Sequence, residues 1–207
     1  MIRIAALSAA VAATALIGAT AYVTFSQSAG QDPFHDCRTS AVAGGSGAIG
    51  GPFTLVNTRG ETVTDTDVIT QPSILYFGYT FCPDVCPLDT VRNADAVDIL
   101  AERERFVTPV FVSVDPKRDT PDVLREFTSL VHEQMIGLTG TPEQIQDVAK
   151  AYRVVYRAHD DGSDFYLVDH MTFSYLVMPD HGFVEFFRND LSAEALANKM
   201  ECFIKAA

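Results

Sequence analysis

The sequence predicts an α/β protein, a largely buried sheet with helices on its faces. Three observations carry the prediction. Two continuous apolar runs, residues 74–78 and 109–114, are rich in β-branched and aromatic side chains and have the length of strands buried on both faces. Segments with apolar residues at helical spacing lie between and after them, and several open on a cap signal. Each apolar run ends in a short polar loop that leads into one of these helices, the alternation that builds a sheet covered by helices. With 207 residues, 47% of them hydrophobic, the chain suffices for one domain with a sizeable core plus an appendage.

Residues 4–25 contain no charged side chain. A helix of roughly 20 residues spans a bilayer's hydrocarbon core, and the apolar part of a secretory signal is only about 7–15 residues long. The expectation is one membrane-spanning anchor over residues 4–25. A cleaved signal is the alternative, because Ala19-Thr20-Ala21 would suit a signal peptidase. Arg3 is the only basic residue near the segment and precedes it. The positive-inside rule then leaves residues 1–3 in the cytoplasm and the main domain on the periplasmic side of a cell inner membrane. From 26 to 51 the composition shifts to Gly, Ser and Ala, a flexible linker that includes Cys37. The domain proper is expected over 52–207.

Within it, Phe53-Thr54-Leu55-Val56-Asn57 and Thr62-Val63-Thr64 flank Arg59-Gly60 and read as a hairpin. The strand over 74–78 follows, then a helix from near Leu88 to Glu104 with Val91, Ala94, Val97 and Ala101 at helical spacing. The strand over 109–114 ends in Asp115-Pro116-Lys117-Arg118-Asp119. Thr120-Pro121 caps a helix to about Val131. A short strand near 135–138 precedes Thr141-Pro142-Glu143-Gln144, a capping box that opens a helix to about Tyr152. Residues 153–158 alternate as a strand. Residues 173–178 and 183–188 form a hairpin around Pro179-Asp180-His181-Gly182, and Ser192 caps a last helix to about Lys205. This order is that of a thioredoxin-like sheet flanked by helices, with an extra N-terminal β-hairpin and an inserted strand–helix unit.

A net charge of −12 argues against a nucleic-acid partner, which needs clustered Lys and Arg for phosphate. The chemistry concentrates instead at Cys82 and Cys86, on the loop between the core strand and the helix. A helix N-terminus carries partial positive charge and unpaired N–H groups, which lower a thiol's pKa and favour thiolate. Thiolate both binds soft metals and exchanges disulfides. The spacing leaves open whether the pair shares a metal ion or closes a disulfide. A metal reading gains from a third ligand, and five histidines are candidates. His35 lies in the linker, His132 near a helix end, and His159 and His181 in turns, all positions of solvated side chains. His170 stands between an apolar stretch and the core hairpin, as a packed core residue or as a ligand.

Three blocks together resemble the Sco/SenC family of copper proteins involved in cytochrome c oxidase assembly. They are the run from Phe77 to Pro87 (Phe-Gly-Tyr-Thr-Phe-Cys-Pro-Asp-Val-Cys-Pro), the run from Ser113 to Pro121 (Ser-Val-Asp-Pro-Lys-Arg-Asp-Thr-Pro) and Val168-Asp169-His170. The resemblance implies a thioredoxin-like copper-binding domain with Cys82, Cys86 and His170 as ligands. It also implies delivery of copper, as Cu(I) or Cu(II), to the binuclear centre of oxidase subunit II or to another exported copper protein. Two sulfurs and an imidazole suit both oxidation states. Asp84 and Asp169 are either groups that orient a ligand or surface carboxylates; Met171 reads as core. Cys37 and Cys202 lie outside the three blocks, as a disulfide or as two separate thiols. The alternative function is a thiol-disulfide oxidoreductase that uses Cys82 and Cys86 as its redox pair on a copper-receiving partner, and it needs no histidine.

Overall fold

The structure, a computed structural model, describes residues 18–20, 32–38 and 46–207. It divides into two compact units, Met1–Asp36 and Cys37–Ala207. Of the first, residues 18–20 are helical and a turn begins at residue 33. Crossing a bilayer takes a helix of about 20 residues, and among the described residues no helix is long and apolar enough to do so. This corrects the expected membrane-spanning segment and the inner-membrane, periplasmic placement that rested on it. Apart from residues 18–20, the stretch 4–25 lies outside the described residues, as does much of the predicted linker.

The second unit is built on a seven-stranded sheet of order β2 (Thr62–Thr64), β1 (Thr54–Asn57), β5 (Ile136–Thr139), β4 (Thr108–Ser113), β3 (Ser73–Gly78), β8 (Ser174–Met178) and β9 (Gly182–Phe187). β3, β4 and β5 are its parallel centre. All six β3 residues are buried, as its apolar run requires of a strand covered on both faces. The predicted N-terminal hairpin, β1 and β2, joins antiparallel to β5. Its turn is fixed by the Asn57 side chain, which accepts from the N–H groups of Arg59 and Glu61, and by Gly60 at φ 76°, where glycine costs least. The hairpin of β8 and β9 joins antiparallel to β3 on the other side.

A short helix, α1 (Asp65–Val68), follows β2 and was not anticipated. α2 (Val85–Glu102) connects β3 to β4, α3 (Pro121–Val131) connects β4 to β5, α4 (Pro142–Ala151) follows β5, and α5 (Ala193–Ala206) closes the chain against α2. The predicted caps are in place. Thr120, Thr141 and Ser192 accept from the N–H groups of Val123, Gln144 and Ala195, and Gln144 Oε1 accepts in return from the Thr141 N–H at 2.8 Å. Each such cap contributes about 1 kcal/mol.

Two elements differ from the sequence reading. α2 starts at Val85, ahead of the predicted Leu88, so Cys86 lies in its first turn and not on a loop. The strand expected over 153–158 is only β6 (Tyr156–Ala158). The Val154 N–H closes α4 by donating to the Ala149 carbonyl, and Arg153 sits at φ 57°, so the chain cannot extend until after it. β6 leaves the main sheet and pairs antiparallel with β7 (Val168–His170), with Tyr156 opposite His170. Cys37 and Cys202 form a disulfide with their Cα atoms 5.7 Å apart, tying residue 37 to α5; Cys82 and Cys86 are free.

Candidate metal centre

β3 ends at the C-terminal edge of the parallel strands, where chemistry collects in open α/β sheets. The chain turns there, with the Cys82 N–H donating to the Tyr79 carbonyl at 3.3 Å. Asp119, fully buried in the loop after β4, holds this turn from the side. Its carboxylate accepts from the Thr80 N–H at 3.1 Å, the Thr80 hydroxyl at 2.6 Å and the Ser113 hydroxyl at 2.5 Å. Burial pushes the Asp119 carboxyl above the usual carboxylate range, and these donors oppose that shift.

Both thiols are buried, Cys86 completely, and the Cys86 N–H points at Cys82 Sγ, 3.4 Å away. Gly78 makes the room. A Cβ there would lie 3.0 Å from Cys86 Sγ, 2.9 Å from Tyr76 Cε1 and 3.1 Å from Phe111 Cε2. The expected lowering of thiol pKa at the helix end fails for Cys86. Its sulfur sits beneath the turn, away from water, and burial pushes the thiol up. Desolvation of the anion outweighs the partial charge of a helix terminus.

The imidazole arrives from the end of β7. His170 Nε2 stands 3.1 Å from Cys86 Sγ, and Nδ1 stands 3.0 Å from the Met171 carbonyl oxygen. A carbonyl only accepts, so Nδ1 carries the hydrogen and Nε2 presents its lone pair to the sulfur. Cys86, held as a thiol, donates its S–H to that lone pair. Burial holds His170 below its ordinary range, so the ring is neutral at physiological pH. The rings of Tyr76 and Tyr79 stand at 90° to it, with centroids 6.1 and 5.8 Å away. The Tyr76 hydroxyl donates to Asp89 at 2.9 Å, which fixes that wall of the site.

The donor atoms of Cys82, Cys86 and His170 all lie within 4.8 Å of one another, the one such group of His, Cys, Asp or Glu among the described residues. With metal–ligand bonds of about 2.3 Å to sulfur and 2.0 Å to nitrogen, that is the scale of spacing a single ion sets. Two sulfurs and one neutral imidazole suit a soft or borderline ion. The other histidines are elsewhere. His35 faces Asp36, His132 faces Asp98, and the backbone of His181 closes the β8–β9 turn. His159 takes Asp169 at 2.7 Å, so Asp169 does not orient His170, and Asp84 is exposed. The group that fixes the His170 ring is the Met171 carbonyl, which leaves no trace in a sequence. The roles of Gly78 and Asp119 were missed as well. A glycine ending a core strand is a recognised sign of close approach, and Asp119 stands in a polar loop at a strand C-terminus.

A model of the family described as SCO1/SenC matches residues 42–205. The chain belongs to the SCO1/SenC family. Protein SenC of Rhodobacter capsulatus is 52% identical to it over 204 residues, 99% of this chain and 91% of that protein. SCO1 homolog 1, mitochondrial, of Arabidopsis thaliana is 42% identical over 155 residues, 74% of this chain and 46% of that protein, so the chain spans about half of that relative. The crystal structure of Arabidopsis thaliana ScoI with copper bound superposes with a TM-score of 0.74 at 40% identity, over 77% of this chain and 100% of that one. The thioredoxin-like fold expected from element order is thus the fold of this SCO1/SenC protein.

Proposed function

We propose that this protein is a copper metallochaperone. It binds one copper ion through Cys82, Cys86 and His170 and delivers it to the binuclear copper centre of cytochrome c oxidase subunit II during oxidase assembly. The observation that carries this reading is the convergence of two thiols and a neutral imidazole within 4.8 Å. The copper in the related Arabidopsis structure and the family resemblance support the choice of metal and of receiving protein. Soft sulfur suits Cu(I), and the added nitrogen suits Cu(II). Three ligands leave a coordination position through which a partner's ligand can enter, which favours transfer over storage.

The test is copper stoichiometry and affinity of the reduced, anaerobic full-length protein beside His170→Ala, followed by transfer to a reduced subunit II copper domain. One ion per chain, much weakened binding in the variant and metal passing to the acceptor are the expected results. Unchanged affinity in His170→Ala would remove the imidazole from the site. The second reading, a thiol-disulfide oxidoreductase acting on the receiving cysteines, is favoured by Cys82 and Cys86 being free side by side while Cys37 and Cys202 are bonded. Disulfide exchange with no stable copper would select it.

A further inference from the structure

The donor set is assembled from two separate pieces of chain. The turn after β3 and the first turn of α2 carry the sulfurs; the β6–β7 ribbon, outside the main sheet, carries the nitrogen. β7 itself makes no sheet hydrogen bond to the thiol turn; the chain reaches β8, which pairs with β3, only at Ser174, so side-chain contacts set how closely the imidazole meets the sulfurs.

Arg118 lies between them, with its side chain 9% exposed. Its guanidinium is 3.6 Å from the ring centroid of Tyr166, 4.9 Å from Phe81 and 5.6 Å from Tyr79. Phe81 adjoins Cys82, and Tyr166 lies on the segment that runs into β7. Nη1 donates to the carbonyls of Tyr166 at 2.8 Å and Asp164 at 3.3 Å, and Nε donates to buried Asp115. The Tyr166 hydroxyl donates to the other Asp115 oxygen at 2.7 Å. One planar cation thus bridges the thiol turn, the loop after β4 and the segment leading to His170. Tyr79, which it touches, is itself edge-on to the His170 ring.

We propose that Arg118 is a positioning residue for the metal centre, holding the His170 segment against the thiol turn so that the nitrogen meets the sulfurs. It does not touch the ion. The proposal rests on Cys82, Cys86 and His170 being the ligand set. Lysine cannot replace it, because an ammonium keeps the charge opposite Asp115 but cannot stack between rings and donate in plane to two carbonyls.

The experiment compares wild type, R118K, R118M and His170→Ala as full-length proteins. The readouts are Cu(I) affinity by competition, imidazole nitrogen coupling in the electron spin echo of the Cu(II) form, and the His170–Tyr79 ring contact by NMR without metal. R118K and R118M are expected to keep one Cu(I) per chain on the two thiols. They should bind it about tenfold more weakly, equivalent to about 1.4 kcal/mol, and lose much of the nitrogen coupling and the ring contact. Wild-type coupling, ring contact and affinity in a folded R118K would overturn the proposal. R118K, nearest in volume and charge, carries the test if R118M does not fold; if neither folds, Tyr166→Leu, which removes the stacked ring and its hydroxyl but leaves Arg118, must show the same losses or the proposal fails. Nitrogen coupling that persists in His170→Ala would instead refute the ligand set and leave the Arg118 ring contact to be judged by NMR alone.

Discussion

The tightest packing at the centre is at Gly78, and Gly78→Ala tests whether the sulfur's position depends on it. The φ of Gly78 is not in the left-handed region, so alanine meets no backbone strain and the effect is steric. Its Cβ would meet Tyr76, Cys86 and Phe111 at 2.9, 3.0 and 3.1 Å. Carbon contacts are best at about 3.5–4.0 Å, so each neighbour must yield by roughly half an ångström. Tyr76 and Phe111 are almost wholly buried, and Tyr76 is tied to Asp89. Cys86 Sγ is the atom with a free torsion, so it should swing away from His170 Nε2. Overpacking costs about 1–3 kcal/mol, and the stiffer unfolded chain returns about 0.4–1 kcal/mol.

From the middle of these ranges the net loss is about 1.3 kcal/mol, or a fall in Tm of about 3–5 °C at the usual slope for a domain of this size. Thermal unfolding of the apoprotein measures it, and Cu(I) competition should show affinity down by about tenfold, the equivalent of about 1.4 kcal/mol. Gly47→Ala is the control, since nothing lies within 4 Å of a Cβ there. An unchanged Tm together with wild-type copper affinity in Gly78→Ala would refute the packing argument.

Three further outcomes follow from the same geometry. Burial depresses the folded-state pKa of His170, so its contribution to apoprotein stability is present above about pH 6.5 and is lost as pH falls through the folded value; NMR titration should place the ring below 6.5, and a value at or above that would contradict it. Cys86 enters as a thiol, and a metal–sulfur bond needs thiolate, so calorimetry at pH 7.5 in buffers of different ionisation enthalpy should count at least about one proton released per copper ion; release near zero would mean a preformed thiolate. Cys37→Ser with Cys202→Ser opens a loop with a sequence separation of 165, and should cost up to about 5 kcal/mol in the chain-entropy model while leaving copper stoichiometry at one; a lost site would show that the disulfide shapes the centre.

What was legible in the sequence follows from where the information is local. Strand runs such as the one in β3 and caps such as Thr141 with Gln144 are written in adjacent residues, and they stand where predicted. The two thiols were found because their chemistry is rare. His170 could be nominated but not placed, because its distance from Cys86 is set by the β6–β7 ribbon and the sequence reading had no β7. That ribbon begins after Arg153 turns the chain at positive φ, a conformation arginine does not announce. Arg118 was visible only as one charge in a polar loop, since apart from Asp115 in the same loop its partners come from two distant segments, 79–81 and 164–166.

The thiol pKa shows why a local rule can point the wrong way. A helix terminus acts through partial charges that fade within a turn, whereas burial acts on the whole charge of the anion. Placing Cys86 at the first turn of α2 brings it nearer the helix end, but the same placement puts its sulfur under Gly78 and against Tyr76, out of water. The larger effect wins, and without metal the pair is a thiol donating to a neutral imidazole. Such a pair introduces no buried charge. An ion that displaces the thiol proton supplies the positive charge that the new thiolate needs, so the burial that opposes ionisation in the empty protein becomes a reason for the metal to stay.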